Sequence, residues 1–226
     1  QNALDFFRAR FPKNLPQVSS ATHGDQNKWY SANALRLHWD LAEGADHSYL
    51  LSQDPLAVPD EIPDRPEGKL AWMGDMEYVL PLDGIYYFSL RQRLKNEQWS
   101  GKTVYRVMFD SQPPLAFEPK IAEIEGRKYA VFSASDKTSG IDRYEIAEIS
   151  RDIFGRAAKE QWKPAESPYL LQDQEGRSEI KIKAFDRAGS ESIAVIPAAA
   201  RVNWRLILAL FLIFGAITVT SFWFFK

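Results

Sequence analysis

Three aspartates in the second half of the chain have the residue type of a cation site. Asp136 and Asp142 flank a short polar segment, and Asp186 directly follows an apolar segment that ends at Phe185. Ca²⁺ takes six to eight oxygen ligands, so carboxylates that meet at one end of a β-sandwich could bind it. The segment from Asp136 to Asp142 also contains a lysine and several turn-forming residues, and we favour a β-turn with Asx hydrogen bonds. The Ca²⁺ site stays open as the alternative, and no metal or cofactor is predicted.

Catalytic chemistry has few candidate residues in this sequence. The chain has three histidines, His23, His38 and His47, and no cysteine, which excludes thiolate nucleophiles, disulfides and cysteine-based zinc sites. His38 lies in an alternating segment and is expected on the outer face of a strand, while His23 lies in a polar loop beside Asp25. Serine-hydrolase, zinc-protease, phosphate-binding and dinucleotide-binding motifs are absent from the sequence. The sequence therefore predicts a protein that is not an enzyme.

Exposed tryptophans are the remaining candidates for ligand contact. Trp99 and Trp162 lie in polar segments and are the best candidates for a surface contact, such as stacking on a sugar. A sugar-binding module would expose a row of aromatic rings along one sheet face, whereas a spacer would bury nearly all of its tryptophans. The exposure of Trp29, Trp72, Trp99 and Trp162 distinguishes the two.

The segments that position these residues alternate between apolar and polar side chains, which is typical of half-buried β-strands. These segments are 35–39, 85–94, 104–109, 128–134, 141–149, 178–185 and 193–196. Residues 151–161 have a weak helical pattern, and we interpret them as a loop or a short helix. Short alternating strands separated by turns predict an all-β fold of antiparallel sandwiches.

A proline pair divides the strands into two sets and predicts two domains. Pro113 and Pro114 cannot donate backbone hydrogen bonds and form a stiff connection. We expect one sandwich over 16–110, a linker over 111–114 and a second sandwich over 115–197, with a small interface. Residues 1–15 are interpreted as the end of a preceding domain, and 198–203 as a tether.

The segment 80–90 has the spacing of a tyrosine corner. It reads Leu-Pro-Leu-Asp-Gly-Ile-Tyr-Tyr-Phe-Ser-Leu, with Leu80 six residues before Tyr86. It resembles the corresponding region of fibronectin type III and related immunoglobulin-like domains, in which the tyrosine hydroxyl bonds to upstream backbone. The resemblance implies that Leu80 and Tyr86 have a structural role.

Further segments extend this resemblance over roughly residues 16–225. They are Thr22 to Ser31, the linker from Asp110 to Phe117, Thr138 to Glu145, Ser167-Pro168-Tyr169 and Lys183 to Gly189. Together they are similar to the tandem immunoglobulin-like region of surface proteins from uncultured, small-genome bacteria. In those proteins the region follows a cohesin-like domain and precedes a single C-terminal membrane helix. This chain has no cohesin-like segment, so dockerin binding is not implied for it.

The last twenty residues before Lys226 predict a membrane span. Residues 206–225 carry no charge, and about 20 apolar residues are needed to cross the hydrocarbon core as a helix. We expect a transmembrane helix over 204–225, with Trp204 and Trp223 at the two interfaces. Arg201 and Arg205 alone would place the preceding domains inside the cell, but the family resemblance implies exported domains, and we expect residues 1–203 outside.

The predicted function is that of a non-catalytic, membrane-anchored surface protein whose domains act as a stalk or an adhesion or interaction module. The alternative is a carbohydrate-binding or carbohydrate-active module tethered to the membrane. Expected partners are the lipid bilayer and, for the domains, another protein or a surface polysaccharide. A net charge of −2 without a basic cluster argues against binding to nucleic acid.

Overall fold

The computed structural model describes residues 15–40, 44–64, 74–94, 98–152 and 155–199. Every regular element within these ranges is a β-strand, so the all-β prediction is confirmed. The strands of the first half are β1 (Val18–Ser20), β2 (Trp29–Tyr30), β3 (Ala34–Trp39), β4 (Asp46–Ser52), β5 (Asp75–Val79), β6 (Gly84–Arg93) and β7 (Thr103–Phe109). Those of the second half are β8 (Lys120–Ile124), β9 (Arg127–Val131), β10 (Ile141–Ile149), β11 (Lys163–Ala165), β12 (Tyr169–Leu170), β13 (Glu179–Asp186) and β14 (Glu191–Ile196).

The first half forms two sheets around one core. One sheet has the order β1-β3-β5, and the other has the order β2-β7-β6-β4, with β2 parallel to β7. Strand β3 buries Leu35, Leu37 and Trp39 and exposes the residues between them, as the alternating sequence predicts. The fully buried residues of this core cluster are Leu35, Leu37, Trp39, Leu80, Tyr86, Phe88, Leu90, Tyr105, Val107 and Phe109.

The second half repeats this architecture with its own core. Its sheets have the orders β12-β9-β8 and β11-β10-β13-β14, and all of their pairings are antiparallel. The buried residues between them are Ala130, Phe132, Ile146, Leu171, Ile180 and Ile182. In each half, a three-stranded sheet and a four-stranded sheet enclose the core, and the last two strands of the half pair with each other in the four-stranded sheet. This division of strands is that of an immunoglobulin-like sandwich.

Strands pair only within each half of the described chain, and no described strand crosses Pro113 and Pro114. The linker lies against the second domain, because the Leu115 amide donates to the carbonyl of Ser135 at 2.9 Å. The Ser192 hydroxyl also donates to the carbonyl of Pro114. The linker is therefore hydrogen-bonded to the second domain.

Several strand ends differ from the sequence-based expectation. The strand expected over 128–134 ends at Val131, since the Phe132 amide donates to the Ser167 hydroxyl at 2.9 Å instead of to a neighbouring strand. Within 151–161, where we expected a loop or a short helix, Arg151 and Ala157 form an isolated β-bridge. The described residues of that stretch contain no helix.

The predicted membrane segment lies outside the described residues, as do Trp204 and Trp223. Among the described residues, none belongs to a helix of the length and apolarity that crossing a bilayer requires.

Candidate functional site

The segment before β6 forms a hydrogen-bonded corner around Tyr86. The Tyr86 hydroxyl donates to the carbonyl of Leu82 at 2.7 Å, and the Leu82 amide lies 3.3 Å from the same oxygen. Leu80 and Tyr86 are both buried in the first core. The turn continues through Gly84, whose φ of 138° lies in a region that residues with a side chain rarely adopt. Both predicted corner residues therefore pack in the core of the first domain.

The three histidines lie apart, and each has a local role. His23 is buried, and its ring nitrogens lie 2.9 Å from the Thr22 hydroxyl and 3.0 Å from the carbonyl of Ala32. His38 lies on the outer face of β3, where its ring bonds to Asp75 at 2.8 Å. His47 is buried in β4. Burial lowers the pKa of both His23 and His47, which favours their neutral forms.

The candidate contact residues Trp99 and Trp162 are half-buried, and cations of this chain lie close to their rings. The Arg93 guanidinium lies 4.8 Å from the centroid of the Trp99 ring. The Lys183 ammonium lies 4.7 Å from the centroid of the Trp162 ring. Trp29 is also half-buried, and no aromatic side chain of the described residues is classed as exposed. Trp72 lies outside the described residues.

Three carboxylates converge where the two domains meet. Ligand oxygens of Asp110, Asp136 and Asp186 all lie within 4.8 Å of one another, and no other such group of three occurs among the described residues. Asp142, which the sequence placed with Asp136 and Asp186, lies outside this cluster. Its carboxylate is half-exposed and pairs with Arg143 at 3.0 Å. Asp142 is therefore not one of the converging carboxylates, whereas Asp110, which the sequence indicated only as the start of the linker, is one of them.

Asp110 connects the two domains. It directly follows β7, and its amide donates to the carbonyl of Tyr30 at 3.0 Å, which fixes its backbone to the first domain. Its carboxylate accepts hydrogen bonds from the amide of Gln112 at 3.1 Å and from the amide of Ser139, in the second domain, at 3.0 Å. The only sequence signal for a role of Asp110 is its position just before the proline linker. Its hydrogen bond to Ser139, on a loop of the second domain, could not be predicted from the sequence.

Asp136 and Asp186 are held by the turns that follow them. Oδ1 of Asp136 accepts the amides of Thr138 at 2.9 Å and Gly140 at 2.8 Å, which is the Asx arrangement that the sequence predicted. Oδ1 of Asp186 accepts the amide of Ser190 at 2.8 Å. Both turns lie at the same end of the second sandwich, because one follows β9 and the other joins β13 to β14. Asp136 and Asp186 thus form their turns and also converge with Asp110 in the carboxylate cluster.

The cluster is buried and carries like charges. Asp110 is 0% exposed and Asp186 is 1% exposed, whereas Asp136 is half-buried. Oδ2 of Asp186 is buried without a hydrogen-bond partner, as is the hydroxyl of Ser139. Burial raises the pKa of the Asp186 carboxyl, and the negative charge of Asp110 also raises this pKa, against backbone hydrogen bonds that lower it. The arrangement is one that a bound cation would stabilise.

Two clefts lie outside the carboxylate cluster. One, of about 210 Å³, lies in the second domain and is lined in part by Glu148, Lys159 and Tyr169. The other, of about 490 Å³, lies at the end of the first domain and is lined in part by Leu82 and Asp83. Neither is lined by a histidine or by a pair of carboxylates, the groups that acid–base catalysis most often uses.

Comparison with protein-family models gives no match to this sequence, and comparison with curated protein sequences gives none either. Among solved structures, the chain is similar to fibronectin(III)-like modules of Clostridium thermocellum CbhA, with 14% identity and a TM-score of 0.37, over 80% of this chain and 91% of that chain. It is also similar to the FN1-FN3 domains of chicken CNTN1, with 12% identity and a TM-score of 0.30. That match covers 75% of this chain and 64% of the chicken chain. The fold described above rests on the order and pairing of the strands.

Proposed function

We propose that this chain is a non-catalytic, membrane-anchored surface protein in which the two sandwiches act as a stalk or an interaction module. The observation that carries the proposal is the path of the chain, which enters each domain at one end and leaves it at the other. Domains connected in this way stack end to end, and their lengths add. A protein with this path holds its N-terminal part at a distance from whatever follows residue 199.

In the first domain, entry and exit lie at opposite ends of the sheets. Val18, the first residue of β1, pairs with Trp39 at the end of β3. The last residue of β7, Phe109, pairs with Gly84, which follows the corner at the opposite end. The chain therefore crosses the length of the sandwich before it reaches Asp110.

In the second domain, the chain again travels from one end to the other. Lys120, at the start of β8, pairs with Val131, on the side of the loop that contains Asp136. Strand β14 leaves that end, and beyond it the Ala199 amide donates to the carbonyl of Gly176 at 2.9 Å. Gly176 precedes β13, whose other end carries Asp186. At about 3.3 Å per residue, β13 alone separates the two ends by roughly 23 Å.

The described surface favours this function over sugar binding. Sugar-binding modules commonly stack their ligands on exposed aromatic rings, and no described aromatic ring is classed as exposed. The rings of Trp99 and Trp162 also lie against Arg93 and Lys183 of the same chain. A sugar that stacked on those ring faces would have to displace a cation–π contact, which costs about 0.5–1 kcal/mol at an exposed site.

Distance measurement between two spin labels tests the end-to-end arrangement. The chain has no cysteine, so Ser19→Cys with Glu175→Cys introduces the two labelling sites without further changes. Two stacked sandwiches place these sites roughly 40 Å or more apart, since strands of about 3.3 Å per residue contribute about 13 Å in the first domain and about 23 Å in the second, besides the gap between them. The pair Glu123→Cys and Glu175→Cys, both in the second domain, is the matched control and should give a short distance. A distance below about 30 Å between positions 19 and 175, shorter than the strands of the two domains end to end, would mean that the domains fold back on each other.

Protease treatment of intact cells tests the anchoring and the orientation. We expect the sandwiches of the full-length protein to be cleaved without permeabilisation, and the C-terminal end of the predicted membrane helix to stay protected. A control variant, Leu210→Arg with Phe214→Arg, carries two charges that each disfavour insertion of a helix centre by about 2.5–3.5 kcal/mol. It should leave the membrane fraction. Domains that resist the protease until the membrane is opened would reverse the orientation and remove the surface function.

A further inference from the structure

We propose that Asp110, Asp136 and Asp186 bind a divalent cation, Ca²⁺, between the two domains. The proposed ligands come from both sides of the linker, since Asp110 follows the last strand of the first sandwich, whereas Asp136 follows β9 and Asp186 ends β13 in the second. The proposal is independent of the membrane anchor and adds a ligand to the stalk.

The first argument is that buried oxygen atoms of the cluster have no partner. Oδ2 of Asp186 has no hydrogen bond, although this side chain is 1% exposed. The hydroxyl of Ser139, whose amide donates to Asp110, is buried and unpartnered as well. A buried polar group without a partner is costly and rare in native proteins, so two of them beside one cluster indicate a missing ligand.

The second argument is the lack of a compensating positive charge. None of the ion pairs among the described residues involves Asp110, Asp136 or Asp186. Backbone amides bond to all three carboxylates, but an amide contributes only a partial charge. Buried charges are normally paired or coordinate a metal, and three carboxylates without a lysine, arginine or histidine partner fit the second case.

The third argument is geometric. Calcium–oxygen distances are about 2.3–2.6 Å, so two oxygens on opposite sides of one ion are about 4.6–5.2 Å apart. The three ligand oxygens lie within 4.8 Å of one another, which suits a single ion between them. The turn amides bond to Oδ1 of Asp136 and of Asp186, so Oδ2 of these two carboxylates is available to the ion. The hydrogen bonds from the backbone amides therefore orient the ligands before the ion binds.

The ligand types select Ca²⁺ among common cations. All ligands are oxygen atoms, and no histidine or cysteine belongs to the cluster, which disfavours Zn²⁺. Mg²⁺ requires near-ideal octahedral geometry and keeps several waters, whereas Ca²⁺ accepts irregular sites of carboxylates, hydroxyls and waters. The Ser139 hydroxyl and waters on the half-buried side of Asp136 would complete the six to eight ligands.

The experiment is a Ca²⁺ titration of the full 226-residue chain in nonionic detergent, which keeps its apolar C-terminal segment soluble. After treatment with a chelator, binding is measured by calorimetry, and the melting temperature is measured with and without about 5 mM Ca²⁺. This concentration exceeds the dissociation constants of about 10⁻⁴–10⁻³ M that are typical of extracellular calcium modules. We expect one bound Ca²⁺, a saturable rise of several degrees in melting temperature, and a smaller effect of Mg²⁺ at the same concentration.

The variants Asp136→Asn and Asp186→Asn remove a charge but keep a side-chain oxygen for the turn amides. Each should weaken Ca²⁺ binding at least tenfold and abolish the rise in melting temperature. Asp142→Asn is the matched control, because it removes an aspartate at the start of β10, close in sequence to Asp136, that lies outside the cluster. It should bind Ca²⁺ as the parent chain does.

A measurement on the parent chain locates the ion without any variant. The amides of Ser139 and Ser190 donate to Asp110 and Asp186, so their NMR signals should shift during the titration. The proposal is overturned if the parent chain binds no Ca²⁺ at about 5 mM. It is also overturned if Asp136→Asn and Asp186→Asn bind as tightly as the parent, or if these amide signals stay unchanged while Ca²⁺ binds.

Discussion

Removal of the Tyr86 hydroxyl is expected to destabilise the first domain. In Tyr86→Phe the ring still fills its place in the core, but the carbonyl of Leu82 loses a donor at 2.7 Å and the amide of Leu82 loses an acceptor at 3.3 Å. A buried group left without a partner costs about 1–3 kcal/mol. The Leu82 side chain is 67% exposed, so water reaches part of this turn. We therefore expect a loss of about 1–2 kcal/mol in the free energy of unfolding, in the lower part of that range.

Urea denaturation followed by tryptophan fluorescence measures this loss, because Trp39 lies in the same core as Tyr86. With a denaturant slope of about 1–1.5 kcal/mol per molar for a domain of this size, the urea midpoint should fall by about 1 M. Tyr87→Phe is the matched control. Tyr87 is the next residue in β6 and is half-buried, and its hydroxyl has no hydrogen bond to a described residue. Its midpoint should stay within about 0.3 M of the parent, since surface changes alter stability by less than about 0.5 kcal/mol. Equal midpoints and slopes for Tyr86→Phe and the parent would refute the structural role of the corner.

Two further predictions concern the packing and the pH dependence of the first domain. Gly74→Ala should destabilise it by about 1–3 kcal/mol, because the new Cβ would lie 2.0 Å from the carbonyl oxygen of Trp39. Gly101→Ala is the control and should have little effect, since no atom lies within 4 Å of its new Cβ. Equal denaturation midpoints for the two variants would contradict this prediction. The lowered pKa of His23 and His47 in the folded state means that the unfolded chain binds more protons as the pH falls below about 6.5. Stability is therefore retained above that pH and lost below it, by up to about 1.4 kcal/mol per pH unit for each histidine. Replacement of His47 by Gln should reduce the slope of unfolding free energy against pH between 6.5 and 5, and an unchanged slope would exclude His47 as a source.

Long alternating strands could be predicted from the sequence, whereas short strands could not. The alternation of Leu35, Leu37 and Trp39 with polar residues identifies β3, because one face of that strand is buried and the other is exposed. Strands β2 and β12 have two residues each, which is too short for any period to be visible. They form because their backbones hydrogen-bond to β7 and to β9, and the tertiary fold determines which segments lie beside those strands.

The carboxylate cluster was predicted in part, and its errors have physical causes. The pairing of β10 with β13 shifts register between Ile141 and Arg143, which leaves Asp142 as the extra residue of a bulge. The bulge interrupts the alternation of the strand at this point, and Asp142 lies at the surface beside Arg143 instead of in the cluster. Asp110 was missed for a different reason, because its partner Ser139 lies 29 residues away in another domain. No local pattern encodes such a contact.

The linker alone does not determine how the two sandwiches are held together. Pro113 and Pro114 restrict their own backbone, but the angle between the domains also depends on the bonds that Asp110 makes to Ser139 and that Ser192 makes to Pro114. Asp110 is the residue whose carboxylate reaches across, and it does so next to two other carboxylates of the second domain. Repulsion among these like charges would push the first domain away from the second, whereas a cation between them would attract both sides. If the proposed Ca²⁺ site is correct, the stiffness of the stalk depends on the calcium concentration around it, and removal of Ca²⁺ should broaden the distance distribution between labels at positions 19 and 175. The distribution between positions 123 and 175 should stay unchanged, because both of those labels lie within the second domain.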